Sequence, residues 1–352
     1  MRGFRMQALT LVVVVLASVA TARAQTLAVQ GDHFAVNGQG KFLLLVSYFD
    51  AMHASSRALD IDFQYLREKG FDGIRIFPNW AQGCGRRVTA PGFYTATGVV
   101  PASDPLWIRF IDILDRARNN GLLVDVTLDA RTPGAQAAAP MIAERLAGGY
   151  RHVLFDVYNE WDTHISPPDA NRTLVKNLVA AVHQKDAARM TTGSASLPSL
   201  GSIAATDGYD LVAYHDARNP ASWFSNDAIL GQLNAIRASL GPRVKPIYLQ
   251  EPMPFANYDG RPVSEGGCGN QQHDSAQGHA CLAAQSAKRH GAAGWTFHTR
   301  QSFNLGGSSL KAMLSLPIHA SQKAELEAVR GAVDAPGVTW GVASPARSPR
   351  DF

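Results

Sequence analysis

Hydrophobic runs and amphipathic segments alternate along almost the whole chain. The apolar runs contain few polar positions, which is typical of parallel strands buried on both faces. Most of them precede a segment whose apolar residues recur every three or four positions, as on one face of a helix. The runs predict strands over residues 42–48, 73–77, 122–128, 152–158, 189–192, 210–214, 244–249 and 292–297. The amphipathic segments predict helices over residues 57–69, 104–120, 139–146, 169–184, 226–240, 274–290 and 321–333.

This alternation, without a linker-like break, predicts one α/β domain over residues 25–335, a (β/α)8 TIM barrel. A doubly wound open sheet is the alternative. It would need a glycine-rich turn after the first strand, but residues 49–53 read FDAMH. Residues 336–352 lack a hydrophobic pattern, so we expect a disordered C-terminal tail there.

The first 24 residues differ from the rest of the chain. Arg2 and Arg5 precede an apolar run over residues 9–19, and Ala22-Arg23-Ala24 follows it. This order predicts a cleaved secretory signal peptide, and hence a secreted or periplasmic protein. A membrane anchor is the alternative, but the run is short for crossing a bilayer.

The charge of the remaining chain excludes one class of partner. Without the three arginines of residues 1–24, the 33 Lys and Arg residues become 30, against 29 Asp and Glu. A net charge near zero gives no basic surface of the kind that binds nucleic acid. The chain is 46% hydrophobic and 18% charged, as in ordinary globular domains, and we expect no stable membrane association after signal cleavage.

The chain has three cysteines, Cys84, Cys268 and Cys281. In an oxidising compartment, an odd number leaves one thiol unpaired or paired with another molecule. Cys268 and Cys281 are close in sequence, in a glycine-rich stretch, and we predict a disulfide between them. Cys84 competes for the same partner, and three unlinked thiols are a further alternative.

Polar and aromatic residues collect where the predicted strands end. In a barrel, these carboxyl ends form the active face. Such a set suits a polyhydroxylated ligand, because polar groups bind hydroxyls and flat rings stack on sugars. Its members are Tyr48, Asp50, Arg75, Asn79, Asp129, Arg131, Asn159, Glu160, His215, Asp216, Glu251, Trp295 and His298.

Two glutamates in this set carry the strongest chemical signal. Glu160 follows the fourth predicted strand and Glu251 follows the seventh. A buried carboxylate without a partner is costly, so two of them at one cleft indicate function. Glycosidic bond cleavage needs such a pair, one as acid/base and one as nucleophile. Arg75, on the second strand, is placed to keep the nucleophile ionised by donating hydrogen bonds to it.

Six short motifs resemble those of glycoside hydrolase family 5, the cellulase and mannanase family of clan A. They occur in the expected order and span about residues 34–334, so the chain looks like a divergent member. The motifs are FAVNG (34–38) before the first strand, GIRI (73–76), FDVYNE (155–160), VAYH (212–215), IYLQE (247–251) and GW (294–295).

The resemblance implies a role for each matched residue. Glu160 is the acid/base and Glu251 the nucleophile of a retaining reaction on β-glycosidic bonds. Asn159 binds the sugar 2-hydroxyl and Arg75 contacts the nucleophile. His215 holds the sugar ring, and Trp295 stacks beneath it.

Three departures from the family pattern place other residues at the site. The family's His-x-Tyr on strand six lacks its Tyr, and Tyr214 or Tyr258 replaces it, or nothing does. Asp125 and Asp129 stand where strand three usually carries a His. Trp161 replaces the Pro that usually follows the acid/base. We expect Tyr214, Asp129 and Trp161 to contribute to sugar binding, with Trp161 as a sugar platform or a lid.

Two other functions are compatible with the sequence. One is a catalytically degenerate barrel that only binds carbohydrate, which the missing strand-six Tyr favours. The other is a metal-dependent hydrolase, but His273, Asp274 and His279 match no zinc-ligand spacing. We therefore expect no metal and no cofactor, and an oligo- or polysaccharide as the partner.

Overall fold

The computed structural model describes residues 25–79, 92–129, 134–162, 168–197, 199–215, 226–252, 279–299, 305 and 307–341. Its main element is an eight-stranded parallel sheet. With strands numbered in chain order over the described residues, its members are β4 (Leu43–Ser47), β5 (Gly73–Ile76), β8 (Leu123–Thr127), β9 (Val153–Asp156), β10 (Met190–Thr192), β11 (Val212–His215), β12 (Ile247–Glu251) and β13 (Gly294–Phe297).

The sheet curls into a barrel. Its strand order is β10-β9-β8-β5-β4-β13-β12-β11, which follows the chain around a circle. The last gap, between β10 and β11, is closed by a parallel bridge between Ala195 and Tyr214. The His215 amide also donates to the carbonyl of Ala195 over 3.1 Å. The predicted (β/α)8 barrel is confirmed.

Helices cover the outside of the barrel, since the outward face of the strands is apolar and needs to be shielded from water. A single hydrophobic cluster joins the outward strand residues to the helices. In the described residues the helices are α1 (Ser56–Glu68), α2 (Pro105–Asn119), α3 (Ala135–Leu146), α4 (Pro168–Lys185), α5 (Leu200–Thr206), α6 (Asn226–Leu240), α7 (His279–Arg289), α8 (Leu310–Leu314) and α9 (Ala320–Val333), with a 3₁₀ turn at Pro317–His319. None of these helices is long and apolar enough to cross a membrane.

A small antiparallel sheet, β1 (Leu27–Gln30), β2 (His33–Val36) and β3 (Gln39–Lys41), closes the amino-terminal end of the barrel. Phe34 points from it into a second hydrophobic cluster inside the barrel, with its ring centroid 6.2 Å from that of Tyr248. The barrel is therefore plugged at this end, and any large ligand enters from the opposite face.

The start of the predicted disordered tail is ordered, so this part of the prediction is wrong. Trp340 packs edge-on against His33 and Phe42, and its indole N–H donates to the carbonyl of Ala292 over 2.9 Å. The tail's single tryptophan supplies the apolar contact that the sequence pattern did not reveal. Residues 342–352 lie outside the described part of the chain.

Local structure differs from the sequence prediction at short elements. Helix α5 follows β10 and was not predicted, because it has only seven residues. Helix α3 begins at Ala135, four residues before its predicted start. A short hairpin, β6 (Tyr94–Thr95) and β7 (Gly98–Val99), lies within the region that the pattern left without structure.

We expect Phe34→Ala to lower the free energy of unfolding by about 3–5 kcal/mol, because it leaves a cavity in the barrel interior. Val29 lies directly opposite Phe34 on β1 but is 38% exposed. Val29→Ala is thus a matched control that should change stability by less than about 0.5 kcal/mol. Urea unfolding of both variants checks this, and equal losses would contradict a plug at Phe34.

Candidate active site

Two strand ends bring Glu160 and Glu251 together at the carboxyl face of the barrel. Glu251 is the last residue of β12, and Glu160 follows β9 by four positions. One oxygen of each carboxylate and one ring nitrogen of His215 all lie within 4.8 Å of one another. Glu160 is 8% exposed and Glu251 4%, so both carboxylates sit in a largely enclosed site.

An irregularity in β12 aims two successive side chains at one histidine. Tyr214 pairs with Leu249, but His215 pairs with Glu251, so β12 has one extra residue at this point. Neighbouring strand residues normally face opposite sides, and a bulge removes that restriction. As a result, Gln250 Oε1 lies 2.8 Å from His215 Nε2, while Glu251 Oε2 lies 3.6 Å from His215 Nδ1.

Glu160 has an unusual backbone conformation. Its φ is +48°, a left-handed value that costs a residue other than glycine roughly 1–2 kcal/mol. Ser194 holds this turn, because its hydroxyl accepts the amide hydrogen of Glu160 over 3.2 Å. Asp156 in turn accepts the amide of Ser194 over 3.0 Å. Strain of this kind is typical of functional sites, where surrounding contacts maintain it.

Arg75 connects the two halves of the site. Its guanidinium donates to Glu251 Oε1 over 2.5 Å and to Asn159 Oδ1 over 2.6 Å, and its Nε donates to Thr127 over 3.0 Å. The side chain is fully buried, with Phe49 and Phe77 packed about its guanidinium. A planar fork with several fixed donors suits such a position, because it can satisfy two acceptors at once.

The surroundings of Glu251 favour its ionised form. Burial acts to raise its pKa, but His215, His298 and Arg75 outweigh burial and hold the pKa well below its usual range. The negative charge of Glu160 opposes them only in part. Glu251 is therefore an ionised carboxylate at neutral pH, which is the state that a nucleophile needs.

His215 lies between the two carboxylates and is fully buried. Its Nδ1 is 3.2 Å from Glu160 Oε1. Burial acts to lower the pKa of His215, but the charges of Glu251 and Glu160 outweigh burial and raise the pKa above its ordinary value. The imidazole is thus placed to exchange a proton with Glu160.

Of the predicted sugar-binding residues, Arg75, Asn159 and His215 lie with the glutamates, but three aromatic residues do not. Trp295 is 0% exposed and belongs to the hydrophobic cluster between the barrel and its helices. Trp161, 1% exposed, lies in the same cluster. Tyr214 also belongs to it. An enclosed side chain facing the helices cannot stack on a sugar in the barrel mouth, so this placement contradicts the roles predicted for them.

The alternation of strand residues explains the position of Trp295. On β13, Thr296 faces the interior, where its hydroxyl lies 2.7 Å from that of Tyr248, so its neighbour Trp295 faces outward. Asp129, two residues after the end of β8, is buried near Tyr158, and its charge adds to the effect of burial in raising the pKa of Tyr158. Its part in sugar binding stays a prediction.

Two residues at the site were not given a role from the sequence. His298, just after β13, has Nε2 3.9 Å from Glu251 Oε2, and its Nδ1 lies 2.8 Å from the Ser47 hydroxyl. Its position after a barrel strand is the signal that marks it. Ser194 follows β10, a strand whose weak pattern hid this position.

Glu160, His215 and Glu251 form the one cluster of three or more potential metal ligands within the described residues. A nitrogen and two carboxylate oxygens can bind a divalent transition metal. However, Arg75 donates to one of these carboxylates and opposes a second positive charge beside it. Residues 273 and 274 lie outside the described residues, as does the side chain of residue 279.

The predicted disulfide is not seen in the structure. Cys281, on α7, is a free and partly buried thiol. Burial raises its pKa to about 11, so it is a weak nucleophile at neutral pH. Cys84 and Cys268 lie outside the described residues, and the pairing of Cys268 with Cys281 stays a prediction.

The sequence matches no protein-family model and no curated protein. Solved structures do match. A family 5 glycoside hydrolase from Bacteroides vulgatus aligns with a TM-score of 0.61 at 11% identity, covering 88% of this chain and 70% of that one. The protein shares its fold with glycoside hydrolases.

Two further glycoside hydrolase structures share this fold. The β-mannanase of the blue mussel Mytilus edulis aligns with a TM-score of 0.57 at 14% identity, covering 91% of this chain and 100% of that one. A GH5_18 structure from Streptomyces cattleya, in complex with Manβ1-4GlcNAc, aligns with a TM-score of 0.58 at 14% identity, covering 85% and 83%. The family resemblance predicted from the six motifs thus agrees with the fold.

We expect Glu251 to contribute to the pH dependence of stability. Its folded pKa lies below the value of an unfolded glutamate, about 4.3. Its stabilising contribution is therefore present above that value and is lost as pH falls through the folded pKa. Between pH 5 and 2, the wild type should lose more unfolding free energy than Glu251→Gln.

Urea unfolding at several pH values measures this difference. Glu144→Gln is the control, because Glu144 is an exposed acid that pairs only with Lys185 among its described neighbours. Its stability should follow the wild-type pH dependence. A Glu251→Gln curve parallel to that of the wild type would contradict the depressed pKa.

Proposed function

We propose that this protein is a secreted retaining glycoside hydrolase that cleaves β-glycosidic bonds in oligo- or polysaccharides. The observation that carries the proposal is that one carboxylate oxygen of Glu160 lies within 4.8 Å of one carboxylate oxygen of Glu251. Retaining enzymes hold their two carboxyl groups about 5–5.5 Å apart, whereas inverting enzymes need about 6.5–9.5 Å to admit a water molecule. The separation here favours retention.

In the first step, Glu251 attacks the anomeric carbon. The bond to the leaving oxygen breaks as Glu160 transfers its proton to that oxygen, and a covalent glycosyl-enzyme forms. In the second step, Glu160 accepts a proton from water, which attacks the anomeric carbon and releases Glu251. The low pKa of Glu251 supports its assignment as nucleophile, because it stays ionised beside Arg75.

Asn159 binds the sugar ring in this proposal, whereas both ring nitrogens of His215 already contact Glu160 and Gln250. The amide oxygen of Asn159 accepts from Arg75, which turns the amide N–H groups toward other acceptors. They are then suited to a sugar hydroxyl. Trp295 and Trp161 are excluded as stacking platforms by their burial, so aromatic stacking would come from loop residues such as Trp80 or Trp223, which lie outside the described residues.

The neighbours' names suggest which sugars to test first. One is a β-mannanase, and another was solved with Manβ1-4GlcNAc. We therefore place β-mannans and β-manno-oligosaccharides first among candidate substrates, followed by β-glucans. Secretion rests on the predicted signal peptide of residues 1–24.

A sugar-binding barrel without activity is the second candidate. The missing strand-six Tyr and the outward packing of Trp295 against the helices favour it, since both depart from the family's sugar-binding pattern. We expect turnover on a panel of β-mannan, β-glucan and aryl β-glycosides, unchanged by EDTA. Product analysis measures it. Saturable binding to one of these sugars without hydrolysis would support the second candidate, and loss of activity in EDTA would indicate a metal-dependent reaction.

Azide separates the roles of the two glutamates. With Glu160→Ala and an activated aryl β-glycoside, the first step needs no acid, so the glycosyl-enzyme accumulates and azide gives a β-glycosyl azide. With Glu251→Ala, azide attacks the substrate directly and gives the α-anomer. Without azide, each variant should lose at least about 10²-fold in turnover.

NMR of the azide products distinguishes the two anomers. Glu144→Ala is the matched control, since it removes an exposed glutamate far from the barrel mouth on α3 and should leave turnover unchanged. Exchanged anomers would reverse the two roles. Near wild-type turnover by Glu251→Ala would end the proposal.

A further inference from the structure

Asp125 is a fully buried acid that the proposed reaction does not use. It lies on β8 inside the barrel, in register with Arg75 on β5. Three side chains donate to it: the Gln250 amide over 2.7 Å, the Thr127 hydroxyl over 3.2 Å and the Tyr248 hydroxyl over 3.3 Å. Burial raises the pKa of Asp125 to about 6 despite the charge of Arg75, so it is ionised at neutral pH. An ionised carboxylate accepts hydrogen bonds and donates none.

Because Asp125 only accepts hydrogen bonds, it determines which end of the Gln250 amide faces the active site. A glutamine amide has one accepting oxygen and one donating NH₂ group, and the carboxylate of Asp125 fixes which end faces it. With the NH₂ group on Asp125, the amide oxygen faces His215 Nε2 over 2.8 Å. With the amide turned the other way, the Gln250 oxygen would lie 2.7 Å from an oxygen of Asp125, and neither of these two oxygens carries a hydrogen. Since an amide oxygen only accepts, His215 Nε2 must carry a hydrogen.

We propose that Asp125, acting through Gln250, is a positioning residue that fixes a proton on His215 Nε2 and leaves Nδ1 as the nitrogen that exchanges protons with Glu160. This inference rests on the proposed function, because it assigns a task to the histidine beside the acid/base. A histidine's reactive nitrogen is commonly selected by the hydrogen bond that its other nitrogen makes.

A proton fixed on His215 Nε2 helps Glu160 to act as the acid/base. Nδ1 lies 3.2 Å from Glu160 Oε1, so the two groups share the proton that moves during the reaction. If Nε2 were the unprotonated nitrogen, Nδ1–H would donate permanently to Glu160 and stabilise its carboxylate form. Fixing the Nε2 proton keeps the neutral acid accessible. Among the described residues, the charged groups that act on His215 include Glu160, Glu251, Arg75 and Asp162.

The bulge in β12 makes the chain of contacts possible. It lets Gln250 face the interior while the next residue, Glu251, still reaches Arg75 and His215. A regular strand would turn one of these two side chains toward the helices. The nucleophile and the residue that orients the histidine are thus adjacent in sequence.

The test uses ¹⁵N-histidine-labelled protein without substrate. We expect His215 Nε2 to stay protonated from pH 7 to 9, where Asp125 is ionised, with only Nδ1 titrating. The His215→Gln spectrum assigns the signals. Gln250→Met keeps the side-chain length but removes both hydrogen bonds, so neutral His215 should become a mixture of tautomers. In the same variant, kcat should fall roughly 10- to 100-fold with KM little changed, the scale known for metal-bound histidines that lose their outer hydrogen-bond partner.

Thr296→Val is the matched control, because it removes a hydrogen bond from Tyr248 in the same barrel interior but leaves Gln250 untouched. It should keep both the tautomer and kcat. Asp125→Asn provides a second variant should Gln250→Met fail to fold, with the same direction expected. An Nε2 that loses its proton in the wild type, or a Gln250→Met protein with unchanged tautomer and kcat, would overturn the inference.

The NMR result is independent of the proposed function. If the wild type hydrolyses no β-glycoside but Nε2 stays protonated and Gln250→Met mixes the tautomers, the positioning contacts stand while the hydrolase proposal fails. If the wild type is active but the His215 tautomer is the same in the wild type and in Gln250→Met, the proposed function stands and this inference fails.

Discussion

One buried guanidinium holds the candidate site together. Arg75 comes from β5, yet it donates to Glu251 on β12, to Asn159 after β9 and to Thr127 on β8. Removing a charge from water is costly, and only close and well-oriented partners compensate for it. Arg75 has these partners only when the strands stand in their barrel register. Closure of the barrel and assembly of the site are therefore the same event.

Charge balance explains why the interior tolerates so many ionisable groups. Around Arg75 lie the carboxylates of Glu251, Asp125 and Asp156. One guanidinium cannot neutralise three acids, and His215 and His298 supply further positive charge beside Glu251. In the proposed function, His215 and Glu160 share one proton between atoms that lie 3.2 Å apart. A retaining reaction needs this property, because its acid/base gives up a proton and regains it in each cycle.

The sequence predicted the parts of the site that end a strong apolar run. Glu160 and Glu251 do so, and Arg75 lies inside another, so their convergence followed from the barrel alone. The outward position of Trp295 could also be predicted from the sequence, because its neighbour Thr296 is the polar residue of that strand. The contact between Asp125 and Gln250 could not be predicted, since it joins residues 125 positions apart and depends on a bulge that has no local sequence signature. Ser194 was hidden by the short strand before it, and Trp340 by a tail without periodicity.

The departures from the family pattern have a common physical consequence. With Trp295 turned toward the helices and no Tyr two residues after His215, the described site offers few contacts to a bound sugar. Its polar groups instead contact each other, through Asp125, Gln250 and His215 below and through Ser194 beside the strained turn of Glu160. Such contacts fix the two glutamates and His215 in the absence of a ligand, so less of any binding energy is needed to order them. Recognition of the sugar then depends on the loops above the barrel, which are the segments most able to change between related enzymes without disturbing Arg75 and its partners.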